Sequence, residues 1–222
     1  MLVVFEGIDG SGKTTLARRT IERLAAAGVE AYYAGKSAPT TSNEYVTGML
    51  AQLKSLLWPD DDGSLHHHLG DRYWLYLMAA WFAAKQKNSF AAERCDARIA
   101  LYDGWWYRFV AKFLNKGFDE AWLLSLFSDI QEPDVVIVLD IEPRIAWLRR
   151  STYKEPEMGR SDGLEGDAFG SYCTYQGSIR RHLLSFAARR GWHVVSQAAD
   201  DDEDQVLAKV VAVLDGTLSQ AM

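Results

Sequence analysis

Leu2-Val3-Val4-Phe5-Glu6-Gly7-Ile8-Asp9-Gly10-Ser11-Gly12-Lys13-Thr14-Thr15 is the stretch that decides the fold. It opens on an unbroken apolar run, the pattern of a strand covered on both faces. Gly7 to Thr14 then fits G-x-x-x-x-G-K-[ST] in full. The glycines permit a tight turn and let backbone N–H groups face an anion. The helix expected from Lys13 adds positive potential at its N-terminus. The motif therefore points to a nucleoside triphosphate cradled by Gly7, Asp9, Gly10, Ser11, Gly12, Lys13, Thr14 and Thr15. Lys13 would reach the β- and γ-phosphates, and the Thr14 hydroxyl would ligate Mg²⁺. The loop alone does not separate a kinase from a hydrolase or a switch.

Outward from this loop the chain alternates between strand and helix patterns. A helix is expected over 13–27, with Ala17, Ile21 and Leu24 at helical spacing and Gly28 as its stop. Val29 to Tyr33 reads as a second strand, 35–41 as loop and 43–57 as helix. Pro59 to Ser64 reads as a solvated turn despite its adjacent carboxylates. A long helix fits Leu65 to Lys87, with Leu69, Tyr73, Tyr76, Ala80 and Ala83 on one face. Ile99 to Tyr102 is a third strand ending at Asp103. Helices follow over 105–116 and 119–130, then a buried strand over Val135 to Leu139 and a helix from Pro143 to Arg150. Residues 151–164 are polar and form a loop or mobile lid. A helix to Arg190, a strand over Trp192 to Val195 and a last helix complete the chain. The acidic run Asp200 to Asp204 suits the positive end of that helix. The order implies an α/β chain of the P-loop NTPase fold: a five-stranded parallel sheet with helices on both faces and a mobile lid. A single domain over 1–222 is expected, with ligands outside the carboxyl ends of the strands.

Composition narrows the function classes. The 222 residues are 48% hydrophobic and 24% charged, which suits a globular domain with a sizeable core. A net charge of −6 disfavours broad contact with nucleic acid. Cys95 and Cys173 fit no metal spacing and read as reduced thiols of a cytoplasmic protein. The first residues lack the pattern of a signal peptide, and no apolar run is long enough to span a bilayer. His66-His67-His68 is a poor metal site, because adjacent helix residues point in different directions.

Phe5 to Thr15 resembles the opening of the thymidylate kinases, P-loop nucleoside-monophosphate kinases. So do Leu69-Gly70-Asp71-Arg72, Asp103 at the end of the third strand, Pro133-Asp134 before the fourth, and Leu139-Asp140-Ile141-Glu142-Pro143 after it. The order and spacing match over nearly the whole chain. The resemblance implies that Asp9 touches the acceptor sugar, that Arg72 contacts its base, and that His68 stands where the family carries a stacking Phe. Asp103 would hold Mg²⁺ or orient the acceptor. Arg149, Arg150, Lys154 and Arg160 would supply the catalytic cations of the lid, closing over the charge that phosphoryl transfer spreads on the transferring oxygens. The function implied is ATP-dependent phosphorylation of a pyrimidine deoxynucleoside monophosphate, dTMP to dTDP, and a homodimer.

Two departures bear on the acceptor. The segment after strand two, Ala34-Gly35-Lys36-Ser37-Ala38-Pro39-Thr40, keeps only Lys36 where the family has an Arg-bearing phosphate contact. Gly104 replaces the arginine that follows Asp103. Arg108 and Lys112, one helical turn apart, are candidate replacements for that clamp, although Lys does not copy a bidentate Arg. Trp105, Trp106 and Tyr107 are either core or lining of the acceptor site. Open alternatives are a kinase for a nucleoside, modified nucleotide or specialised metabolite, and a non-catalytic nucleotide-binding regulatory protein.

Overall fold

The structure is a computed structural model that describes residues 1–35, 43–58, 69–89 and 99–220. Five strands form one parallel sheet: β1 (Leu2–Glu6), β2 (Ala31–Tyr33), β3 (Ile99–Tyr102), β4 (Val135–Ile141) and β5 (His193–Gln197), in the order β2-β3-β1-β4-β5. The helices are α1 (Lys13–Ala26), α2 (Glu44–Leu57), α3 (Asp71–Ser89), α4 (Tyr107–Asn115), α5 (Glu120–Leu126), α6 (Pro143–Leu148), α7 (Ala168–Arg190) and α8 (Glu203–Gln220). Two short 3₁₀ turns, Glu155–Glu157 and Arg160–Asp162, lie between α6 and α7.

The apolar runs are continuous because both faces of the sheet are covered. Successive side chains alternate between two cores. Leu2 and Val4 of β1, Ala100 and Tyr102 of β3, and Val136 and Val138 of β4 pack with α3, α4 and α7. Val3, Phe5, Ile99, Leu101, Ile137 and Leu139 pack with Leu16, Ala17 and Leu24 of α1 and Val206, Val210 and Leu214 of α8. Trp105, Trp106 and Tyr107 all belong to the first core. β1 lies between β3 and β4, with Val3 opposite Leu101 on one side and Val135 on the other. The loop leaving β1 therefore emerges at the centre of the sheet's carboxyl edge, beside Asp103.

The helix ends follow from local chemistry. Asn43, Asp119 and Asp167 accept from the N–H groups of Val46, Trp122 and Gly170 at 3.2, 2.8 and 2.8 Å. Gly191 closes α7 in the left-handed region at φ 66°. The acidic run before α8 acts as expected at the helix start. Asp202 and Gln205 each accept from the other's backbone N–H at 2.8 Å, while Arg19 of α1 pairs with Glu203 and Asp204.

Two expectations need adjustment. The face of α3 read from Tyr73, Tyr76, Ala80 and Ala83 is not the core face. Tyr76, Ala80 and Ala83 are exposed, as is Leu69, whereas Leu75, Met78, Trp81, Phe82 and Lys85 are buried. Apolar side chains surround this helix, so spacing alone offered two registers. β4 and β5 each run two residues beyond the expected end, to Ile141 and Gln197, and β2 starts two residues late. The span 151–164 is turn structure packed on the body, with Met158 buried and Tyr153 stacked on Trp147 at 4.0 Å. Lys36, His66, His67, His68, the 59–64 turn and Cys95 lie outside the described residues.

Phe127 is wholly buried, stacked on Trp106 at 5.0 Å and edge-on to Phe82 at 6.5 Å. Phe127→Ala is expected to lower the unfolding free energy by about 3–5 kcal/mol through the cavity it leaves. Urea unfolding followed by far-UV circular dichroism measures this, and a loss under about 1 kcal/mol would contradict the packing described.

Candidate active site

The loop after β1 is held in shape from several directions. Gly7 lies at φ 150°, and a Cβ there would sit 2.8 Å from the Leu139 carbonyl oxygen and 2.7 Å from Ser11 Oγ. Gly10 lies at φ 83°, with the Ala146 carbonyl and the Tyr172 hydroxyl 3.3 and 3.1 Å from where its Cβ would be. No side chain fits either place. Tyr172 donates its hydroxyl to the Asp9 carbonyl, and Gln197 Nε2 donates to Ser11 O at 3.0 Å. The loop is thus tied to α6, α7 and β5.

The Lys13 ammonium lies inside this ring. It donates to Gly7 O at 3.0 Å, Ile8 O at 2.6 Å and Ser11 Oγ at 3.2 Å. Burial, helped by the Arg108 guanidinium, pulls its pKa down to about 8, against the pull of Asp9, Glu6 and Asp103. Thr14 donates its hydroxyl to Asp103 Oδ2 at 2.6 Å, and Tyr33 donates to the same oxygen at 2.6 Å. The two residues read as metal ligands are therefore neighbours, although they come from different elements. Both present hard oxygen donors, which suits Mg²⁺ bound by one carboxylate, one hydroxyl, water and phosphate oxygens.

Asp9 is the centre of a second set of contacts. Its carboxylate accepts from Arg108, lies 3.8 Å from Lys112 Nζ, and accepts from Gln176 Nε2 at 3.2 Å. Its own N–H donates to Gln176 Oε1 at 3.1 Å. Burial pushes the Asp9 carboxyl up, but Arg108, Lys112, Lys13 and the Gln176 hydrogen bond outweigh it, and the group stays well below the usual carboxylate range. Arg108 and Lys112 thus converge on one carboxylate, and the trio carries a net positive charge.

Part of this set opens on one cleft of 770 Å³, while Tyr33, Lys112 and Gln176 stand behind its lining. The loop residues 9–15, Asp103, Gly104, Arg108, Arg149 and Arg150 line it. Of the lid cations, Arg149 bonds Gln197 Oε1 at 2.6 Å and Arg150 bonds Glu157 at 3.1 Å. Arg160 is turned away from the cleft and braces its own turn through Leu164 O at 2.9 Å and Gly166 O at 2.6 Å. Lys154 does not line the cleft either; its N–H caps onto Glu157. Arg72 is exposed, with its guanidinium 5.0 Å from the Trp122 ring, and lies outside the lining. The contribution of α3 is made further along the helix, by Trp81, Phe82 and Lys85.

Several lining residues carry no signal readable in the sequence. Lys85, Gln197, Tyr102 and the Trp58, Trp81, Phe82 and Phe109 rings reach the cleft from separate elements. Gln176 meets Asp9 across 167 positions of sequence. Gly7 and Thr15 match their expected places in the loop.

Glu6 lies just below the loop and is wholly buried. Its Oε1 accepts from the Trp105 N–H at 3.0 Å, and Oε2 has no partner among the described residues. Burial pushes its carboxyl up from 4.5 to about 7, against Arg108, the Trp105 N–H and Lys13. A raised folded-state pKa means that the folded chain holds this proton more tightly than the unfolded chain. The contribution is therefore complete below about 4.5 and is lost as the pH rises through about 7. Glu6→Gln should remove that fall. Urea unfolding at about pH 5 and about pH 8 should show wild type losing on the order of 1–3 kcal/mol more than the variant over this interval. Equal losses in the two proteins would contradict it.

Among known proteins, the chain is 24% identical over 219 residues to the "Probable thymidylate kinase 1" of Saccharolobus solfataricus, covering 98% of both. It is 27% identical over 228 residues to the thymidylate kinase of Cereibacter sphaeroides, covering 97% of this chain and 94% of that one. It is 29% identical over 153 residues to the thymidylate kinase of Caenorhabditis elegans, covering 67% and 66%. No family model matches the chain. Over nearly its full length the chain is similar to thymidylate kinases of archaea and bacteria, and its parallel sheet and phosphate loop agree with that similarity.

Proposed function

We propose that the chain transfers the γ-phosphoryl group of ATP to dTMP, giving ADP and dTDP. The observation that carries this reading is the shared cleft. The phosphate loop, the Thr14–Asp103 pair and the Asp9–Arg108 pair face one volume, with Lys112 behind Asp9. Thymidylate kinases from archaea, bacteria and a nematode are the proteins it is similar to.

The donor's polyphosphate lies along residues 9–15, on backbone N–H groups and the positive end of α1. The Lys13 ammonium exchanges the Gly7 and Ile8 carbonyls for phosphate oxygens. Thr14 and Asp103 would hold Mg²⁺, which would neutralise phosphate charge there. An oxygen of the acceptor phosphate attacks the γ-phosphorus as the bond to the β–γ bridging oxygen breaks. The dianionic acceptor needs no base to remove a proton. Arg108 and Lys112 attract that phosphate, and the Asp9 carboxylate, ionised at neutral pH, accepts from the sugar 3′-hydroxyl. Arg149 and Arg150 neutralise charge on the transferring oxygens. Residues 151–164 form the lid; Lys154 and Arg160 shape it rather than reach the phosphates.

The reading extends to a nucleotide-binding enzyme without nucleic-acid or membrane partners that works in the cytoplasm. The net charge of −6 supports the first of these. No helix among the described residues is long and apolar enough to cross a membrane. Tyr45, Met49 and Leu56 of α2 and Tyr76 of α3 are at least 49% exposed, and a second copy of the chain is the partner we assign to them. A sedimentation mass of 25.0 kDa would exclude that dimer. Gly104 supplies no cation beside Asp103, which favours a modified or unphosphorylated acceptor as the second reading.

ADP release measured with ATP, Mg²⁺ and dTMP, dUMP, dCMP, thymidine or 5-modified pyrimidine nucleotides decides between these. Turnover of dTMP, lost by at least about 10³-fold in a folded Lys13→Ala variant, is expected. Turnover of unphosphorylated acceptors alone would sink the dTMP assignment.

A further inference from the structure

Two buried glutamines join the phosphate loop to the segment that carries the lid cations. Gln176 on α7 is wholly buried, and Gln197 at the end of β5 nearly so. Gln197 Oε1 accepts from Arg149 at 2.6 Å, and its Nε2 donates to Ser11 O at 3.0 Å. Gln176 Oε1 accepts from the Asp9 N–H at 3.1 Å. Its Nε2 donates to Asp9 Oδ2 at 3.2 Å and to the Glu157 carbonyl at 2.6 Å. The Glu157 carboxylate in turn accepts from Arg150 at 3.1 Å and from the Lys154 N–H at 3.0 Å. Each amide has only one orientation open to it. Arg149 and the Asp9 N–H can only donate, so they fix the two amide oxygens, and a carbonyl faces each amide nitrogen. A carboxylate of the same shape has no N–H for those carbonyls. An apolar side chain leaves polar groups on both sides unmatched, which is costly where water is excluded. Both places therefore call for one donor and one acceptor on the same side chain.

We infer that Gln176 and Gln197 are positioning residues, which set the two lid arginines in register with the phosphate loop. Gln197 holds Arg149 against Ser11. Gln176 holds Glu157, and through it Arg150, against Asp9. The two bridges end on either side of Gly10, whose left-handed turn at φ 83° fixes the distance between them. The bond to Gln197 takes one N–H of the Arg149 fork, and the rest of the fork is the part that meets phosphate oxygens. Cations placed before transfer act most strongly on charge that develops in the transition state. The inference rests on the phosphotransferase reading for the task of the arginines; the two bridges stand without it. A further tie holds the second 3₁₀ turn independently: Asp162 accepts from Tyr175, and from Lys116 at 2.6 Å. Loss of the Gln176 bridge therefore loosens 155–158 and spares 160–163.

Two readouts separate positioning from mere support of the fold. The first is kinetic. Gln176→Met and Gln197→Met keep most of the side-chain volume and remove the amide, and far-UV circular dichroism checks that they are folded. Each should lower kcat for dTMP by about tenfold or more, with the ATP KM changed less than about threefold. In an Arg149→Met background, measured under single turnover, Gln197→Met should cost less than about threefold, because a positioning residue acts through the group it places. Gln176→Glu and Gln197→Glu, which keep the shape and lose only the N–H donor, should fall with the methionine variants, and they serve where a methionine variant does not fold. The second readout is amide hydrogen exchange by NMR, which needs no turnover. Gln176→Met should speed exchange at Glu157 and Met158 by at least about fivefold and leave Asp162 and Gly163 unchanged. A kcat within about threefold of wild type in the folded variants would overturn the inference. So would an undiminished loss from Gln197→Met in the Arg149→Met background, or unchanged exchange at Glu157 in Gln176→Met. If exchange responds as expected but the wild type transfers no phosphoryl group, the bridges stand and the kinase reading falls. If dTMP turns over and the variants match wild type, the kinase reading stands and the inference falls.

Discussion

The arrangement depends on one buried carboxylate holding two cations. Asp9 sits in a turn that must pass within contact distance of Leu139 and Ala146, so it cannot move away from the sheet edge. Arg108 and Lys112 come to it from α4, and Gln176 comes from α7. Taking such charges out of water is costly unless they are paired and hydrogen-bonded. Here each has a partner, and the pairing fixes the distance between the phosphate loop and the helices that build the rest of the cleft. The cluster joins packing to function: it braces the loop and sets the Arg108 guanidinium in the lining of the cleft.

A second consequence is the depth at which the charged groups lie. Glu6, Lys13, Asp9, Arg108 and Lys112 form a contiguous set beneath and beside the loop, and burial shifts their proton affinities in different directions. Asp9 is held ionised by the cations, whereas Glu6, further from solvent, is pushed toward neutrality. Such separation of like groups by environment lets one carboxylate act as an anion while its neighbour fills space and accepts a backbone N–H. The lid shows a similar division. Arg149 and Arg150 reach the cleft from the end of α6, while Arg160 is consumed by the carbonyls of its own turn.

What could be read in the sequence is what local chemistry dictates. The phosphate loop, the strands starting at Leu2, Ile99 and Val135, and the parallel sheet followed from apolar runs and glycine spacing. Lys13, Thr14 and Asp103 were legible because the strand ends bring them together in any sheet of this order. The register of α3 was not, because a helix apolar on several sides gives no single face, and Tyr76 took the place that belongs to Leu75 and Phe82. Arg72 followed from a motif similarity alone; it is exposed beside the Trp122 ring and is not among the residues lining the cleft. Gln176, Lys85 and the Trp58–Trp81 ring pair depend on contacts across tens to hundreds of residues and left no local mark.

The claim at the centre is that donor and acceptor phosphates meet in one cleft, between the loop amides and the Asp9 cluster. A bisubstrate compound joining adenosine and thymidine through a chain of phosphates tests this directly, in a crystal structure of the complex. Expected is one molecule per chain, its phosphates along residues 9–15 and Lys13 Nζ withdrawn from the Gly7 and Ile8 carbonyls. A complex in which the phosphates bypass the loop, or in which the thymidine half lies outside the cleft, would contradict it.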